Sequence, residues 1–188
     1  EVDVQNGLPN FDIVGLPSAS VREAKERVRS AVKNSGYNFP LQRITVNLAP
    51  ADLRKEGSHL DLPIALGILL ASGQVFSHSE ESFWIGELSL DGTIKGVPGV
   101  LPMILTLNRN FPQAETIIPA ANKAEASLVD HPSLIASSLK EIVSYLGGQQ
   151  SLIKTEISDL NLSRGVYQND FSDIKGQASA KRAIEVAV

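Results

Sequence analysis

The chain has 188 residues, a hydrophobic fraction of 43%, a charged fraction of 20% and a net charge of −4. Those values suit one sizeable folded domain plus an appendage and exclude a disordered or collagen-like chain. Cysteine is absent, which removes disulfides and thiolate metal sites. With no signal-peptide pattern and no membrane-length apolar run in the sequence, the expected compartment is the cytoplasm.

Charge is unevenly spread. Between Ser18 and Lys55 stand Arg22, Lys25, Arg27, Arg29, Lys33, Arg43, Arg54 and Lys55, against only Glu23, Glu26 and Asp52. This local positive excess reads either as solvated faces or as an anion-facing surface.

Residues 2–5 and 11–14 alternate like two strands around Asn6-Gly7, which predicts a hairpin. Ser18 or Ser20 can cap the next element. Its buried stripe is Val21, Ala24, Val28, Ala31 and Val32, and Gly36 is its stop. Arg22, Lys25, Arg29 and Lys33 share a face beside that stripe. The pairs Arg22–Glu26 and Glu23–Arg27 would support it as a solvated flank.

Residues 44–73 form the centre of the pattern. Residues 44–48 read as a β-branched strand, followed by a loop carrying Pro50, Asp52, Arg54, Lys55, Glu56 and Gly57. Residues 60–71 are apolar nearly all round and predict a helix buried inside the domain, with Asp61 as N-cap and Pro63 in the first turn. A charged loop held between a strand and a buried helix suits an active site, a binding site or a tight structural corner.

Residues 74–82 are a polar loop. Residues 83–90 and 93–97 predict a hairpin with Asp91-Gly92 in a type I′ turn. Helices follow over 99–108, 120–129 and 139–146, with a short strand at 116–118 ended by Pro119. The mixture predicts an α/β or α+β layered domain over residues 1–147. A polar linker at 148–169 and a further segment at 170–188 come next, the latter with a helix from Ser179. The chain starts without methionine and stops inside a helical pattern, so it is expected to be a piece of a longer protein.

Motif tests for chemistry are mostly negative. The sequence holds neither GxxxxGK[ST] nor GxGxxG, and it has no Gly-x-Ser-x-Gly elbow. His59, His78 and His131 are far apart and lack metal-ligand spacing, so each is expected on the surface or in a loop, and no metal site is expected.

Several long stretches carry a family resemblance. NGLPNFDIVGLP, VREAKERVRSAVKNSG, RITVNLAPADLRKEG, LDLPIALGILLASG and IGELSLDGTIKGVPGVLPM resemble, in order, the N-terminal region of bacterial magnesium-chelatase-like AAA+ proteins of the ComM/YifB family. DFSDIKGQASAKRAIEVA resembles the opening of the AAA+ module that follows in that family. There, Ile174 and Gly176 would form part of an adenine pocket, with the phosphate loop beyond this chain. The resemblance implies a Lon-protease-like fold of the ribosomal protein S5 domain 2 type for residues 1–147.

In Lon proteases a serine after a Lys-Asp-Gly-Pro stretch and a lysine on a later helix act as nucleophile and base. Lys55-Glu56-Gly57-Ser58 matches the first stretch, which puts His59 at the nucleophile position and Leu101 at or near the lysine position. A one-residue slip would substitute Ser58, but leucine still takes no proton, and the nearest lysine, Lys95, precedes the helix. The implied site is a non-catalytic relic.

The resemblance further implies ATP and Mg2+ for the full-length protein, a homo-hexameric ring and movement on DNA by branch migration during natural transformation. No cofactor and no membrane are expected for this fragment. Arg22, Lys25, Arg29, Lys33, Arg54 and Lys55 are the candidates for weak contacts to DNA phosphates. The alternatives are a Ser-Lys peptidase using Ser58, a purely structural assembly domain, and a metal chelatase subunit.

Overall fold

The computed structural model describes residues 1–76, 81–158 and 173–187. His78, the linker beyond residue 158 and the Asp170 start of the final segment lie outside the described residues. The chain divides into two compact units, Glu1–Ser158 and Asp159–Val188.

The first unit opens with β1 (Val2–Gln5) and β2 (Asn10–Val14), then α1 (Ala19–Asn34) and β3 (Arg43–Asn47). β1 and β2 do not form the expected hairpin. β3 lies between them, antiparallel to β1 and parallel to β2. The Asn6-Gly7 turn signal is local, whereas the ladder is completed by a strand that arrives only after α1. Ile44 and Val46 of β3, with Phe11 and Ile13 of β2, turn inward and bury. Asp12 and Thr45 alternate to the other face, as period-two patterning requires.

Ser18 caps α1, its hydroxyl accepting from Val21 N at 3.4 Å. The helix ends in a full Schellman arrangement, with Gly36 N donating to Lys33 O and Tyr37 N to Val32 O. The expected stripe Val21, Ala24, Val28, Ala31 and Val32 is buried. The expected ion pairs within α1 are absent among the described residues. Arg22 donates instead to Pro17 O, and Arg27 reaches a carboxylate on another helix.

That other helix is α2 (Asp61–Ala71), with Leu62, Leu66, Ile68 and Leu69 fully buried. β1 packs so closely on it that a Cβ at Gly67 would stand 2.6 Å from Val2 Cγ2. Asp61 is not the N-cap; Leu60 holds that position without a side-chain bond.

β4 (Ser82–Trp84), β7 (Glu115–Pro119), β8 (Ser133–Ala136) and β9 (Ile153–Lys154) make a four-stranded mixed sheet in that order. β5 (Glu87–Leu88) and β6 (Ile94–Lys95) make a separate two-stranded ladder. Residues 83–97 therefore serve two sheets, and only the distal part forms the expected hairpin. Its loop is Leu90-Asp91-Gly92, closed by Ser89 N to Thr93 O at 2.9 Å, with positive φ at Gly92 alone. This is the three-residue form with glycine in the left-handed position, not a type I′ turn.

Helices α3 (Val100–Asn110) and α5 (Leu139–Leu146) appear where the sequence expects them. The expected helix at 120–129 is only a 3-10 turn, Ala120–Asn122, and one turn of α4 (Lys123–Ala126). β8 was not anticipated. Successive residues of β7 serve different cores. Ile117 joins the main core with Leu134, Leu139 and Ile142, while Ile118 joins a second cluster with Val100, Ile104 and Ala126. A strand buried on both faces shows no alternation.

The compact unit also continues past residue 147, because β9 completes the sheet with Leu152 and Thr155 buried beside it. The linker expected from 148 therefore begins inside the domain. In the second unit, α6 (Ala178–Ala187) follows a break at Gly176, whose φ is 74°.

Candidate functional site

The charged loop and α2 meet in a polar corner. Asp61 is 1% exposed and is gripped by the Arg27 guanidinium through Nε to Oδ2 at 2.7 Å and Nη2 to Oδ1 at 3.0 Å. Leu88 N donates to the same carboxylate at 3.3 Å, and Arg27 Nη2 also donates to Ser20 O at 3.1 Å. Burial pushes the Asp61 carboxyl up, against the pull of the Arg27 bonds. The bond to Asp61 raises the arginine in turn. This pair ties α1, α2 and β5 together. The sequence signal for it, an acidic residue just before an apolar helix, is the same signal that suggests an N-cap.

Ser58 donates its hydroxyl to Glu87 Oε2. Glu87 faces Lys95 across the β5–β6 ladder. His59 is half-buried, its carbonyl accepting from Gly86 N at 3.1 Å. Burial lowers the His59 imidazole, with Asp61 pulling the other way. Ser58 and Glu87 are thus brought together, and no hydrogen bond joins Ser58 or His59 to Leu101 among the described residues.

Leu101 packs against the second cluster, and its N–H donates to Glu125 Oε2 at 3.1 Å. Asn122 binds both the N–H and the carbonyl of Val97 and donates to Glu125 Oε1, so this clamp fixes the start of α3. Sequence reading missed Asn122 and Glu125 because the backbone groups they bind lie more than twenty positions away.

His131 is also not at the surface. It is 3% exposed, with Nε2 on Thr116 Oγ1 at 2.8 Å, and burial lowers its imidazole.

The six basic candidates separate into engaged and unengaged groups. A bridge between Pro17 and Lys55 brings the loop to the start of α1. Lys55 Nζ donates to Leu53 O at 2.8 Å and to Pro50 O, and Arg54 pairs with Glu56 at 3.1 Å. Lys25 meets Asp12 at 3.5 Å, and Arg22 holds Pro17 O. Arg29 and Lys33 make no hydrogen bond or ion pair with any described residue, and Arg29 lies over the Phe39 ring at 5.2 Å. In the second unit Ile174 is exposed, and its carbonyl accepts from Lys181 Nζ.

Among the described residues no cluster of His, Asp or Glu could hold a metal, and no helix is long and apolar enough to cross a membrane. By class, mixed sheets with helices against them define an α+β domain whose central corner holds its polar groups with internal partners.

Residues 1–122 match the family model described as subunit ChlI of Mg-chelatase, and the chain belongs to that family, in its ComM/YifB group. It is similar to competence protein ComM of Haemophilus influenzae, 48% identical over 193 residues that take in 100% of this chain and 37% of the relative. It is similar to YifB of Escherichia coli at 40% over 188 residues, 99% of this chain and 36% of the relative. A Mycobacterium bovis protein, Mb2921c, is 38% identical over 190 residues, 100% of this chain and 37% of the relative. The chain thus spans little more than a third of the length of these curated relatives.

Proposed function

We propose that this chain is the non-peptidase, Lon-like N-terminal domain, of the S5 domain 2 type, of a ring-forming AAA+ ATPase. Its role is to place DNA or order the ring while the full-length protein, using ATP and Mg2+, drives branch migration during natural transformation in the cytoplasm. The observation that carries this reading is the 48% identity to ComM across the whole chain. The second unit then opens the ATPase module, with Ile174 and Gly176 contributing part of the adenine pocket. The ring is a homo-hexamer.

Two features support the absence of peptidase chemistry. Ser58 donates its hydroxyl hydrogen bond to a carboxylate, Glu87, and the helix position expected to supply a lysine holds Leu101 against an apolar cluster. A Ser–Lys mechanism needs an amine within hydrogen-bond reach of the hydroxyl. Four of the six basic candidates are already held by groups of this chain, which narrows the DNA contacts of this domain to Arg29 and Lys33.

The test uses the full-length protein. ATP hydrolysis stimulated by branched DNA, with movement of a synthetic four-way junction, is expected, together with no labelling of Ser58 by a serine-reactive probe. Hydrolysis indifferent to DNA leaves the assembly role. Labelling at Ser58 accompanied by degradation of unfolded protein overturns the reading in favour of a peptidase.

A further inference from the structure

Arg29 and Lys33 stand one helical turn apart and line a cavity of about 220 Å³ between α1 and the turn before β3. We propose that this cavity is a phosphate-binding pocket, with Arg29 and Lys33 as its ligands. For the source of that phosphate, a nucleic-acid backbone, the proposal rests on the DNA reading above.

The anomaly that carries it is Arg29. Its side chain is partly buried, and Nε is cut off from water with no hydrogen-bond partner among the described residues. A buried N–H is normally hydrogen-bonded, because an unpaired one loses hydration and gains nothing in return. Arg27, two residues earlier on the same helix, obeys that rule through Asp61. Arg29 has only the face of Phe39, which fixes its plane without neutralising it.

The remaining walls offer no counter-charge. Pro9, Pro40 and Leu41 are apolar. The Asn10 amide donates to Asp12 Oδ2 at 2.6 Å, and the Gln42 amide donates to Asn6 Oδ1 at 2.8 Å. Asp12, the acidic residue on β2, is held by Asn10 and Lys25. The pocket therefore presents guanidinium and ammonium donors with no acid to answer them.

Size and shape select the ligand. The volume is below the roughly 300–1,000 Å³ of pockets that enclose whole small molecules, and it suits a single phosphate. Phe39 is 9% exposed, with Arg29 over its face and Phe11 5.6 Å away, so no base can stack on it. The pocket grips the backbone and carries no sequence information.

The experiment follows the Arg29 Nε–H resonance of the full chain during titration with pyrophosphate and with a thymidine oligonucleotide. It also compares Arg29→Gln/Lys33→Gln with Arg22→Gln/Lys25→Gln by fluorescence anisotropy at several salt concentrations. A saturable shift is expected with both ligands. The first pair should weaken oligonucleotide binding roughly ten-fold and lower the salt slope by about 1.4, from two lost single-strand contacts. The second pair should do markedly less.

Lys33→Gln alone, at an exposed position, gives an intermediate loss even where the double variant folds poorly. A shift with pyrophosphate but none with the oligonucleotide keeps the phosphate pocket and rejects DNA as its source. A resonance silent to both ligands overturns the pocket, and so do equal losses from the two double variants. Oligonucleotide binding that persists in those cases leaves the DNA reading standing on other residues.

Discussion

Arg27 and Arg29 sit two positions apart on α1 and meet opposite surroundings. Arg27 turns toward α2, where a carboxylate 1% exposed takes both of its prongs. Arg29 lies on a ring beside a cavity without an acid. The corner at the start of α2 is tied off throughout: Asp61 to Arg27 and Leu88 N, Ser58 to Glu87, and His59 O to Gly86 N. In the groove along α1 the cations remain unanswered. Arg27 thus serves the architecture, while Arg29 and Lys33, left open beside a cavity, are available to a ligand.

The largest effect should come from breaking the satisfied side. Asp61→Ala strands Arg27 and should cost about 3–5 kcal/mol, measured by urea denaturation of the full chain. The charge-free double replacement, Arg27→Met with Asp61→Leu, should recover most of that loss. If the single variant is neutral, the corner is not what joins α1, α2 and β5.

A smaller effect should come from pH. Burial depresses the imidazoles of His131 and His59 below their ordinary value. Each therefore contributes stability that is fully present above about pH 6.5 and is lost as pH falls through the lowered folded value. His131→Gln should flatten the acid side of the stability profile, read as urea midpoints between neutral and acid pH. An unchanged slope would mean that His131 is not responsible for it.

Local periodicity made part of this legible. The stripe of α1, its stop at Gly36 and the all-apolar run of α2 were readable because each depends on neighbours within a few positions. Non-local choices were not readable. Nothing near Asn6-Gly7 says that β3, beyond α1, will come between the two flanking strands. β8 is four residues, three of them buried and Ile135 partly so, so it has no clear alternation to detect. Asp61 carries one signal with two meanings, because a carboxylate at a helix start can cap the helix or pair across to another.

The same limit applies to the groove. Arg22, Lys25, Arg29 and Lys33 form one basic face in the sequence. Only tertiary structure separates residues engaged by Pro17 and Asp12 from those left open.

The most direct test compares Arg27→Gln and Arg29→Gln in the full chain, each measured for urea stability and for pyrophosphate affinity. Arg27→Gln should lower stability by about 3 kcal/mol or more, with the folded protein still binding pyrophosphate. Arg29→Gln should change stability by less than about 2 kcal/mol, the size of a desolvated cation–π contact, and should weaken the binding several-fold. A large stability loss at Arg29 with pyrophosphate binding retained would contradict the account.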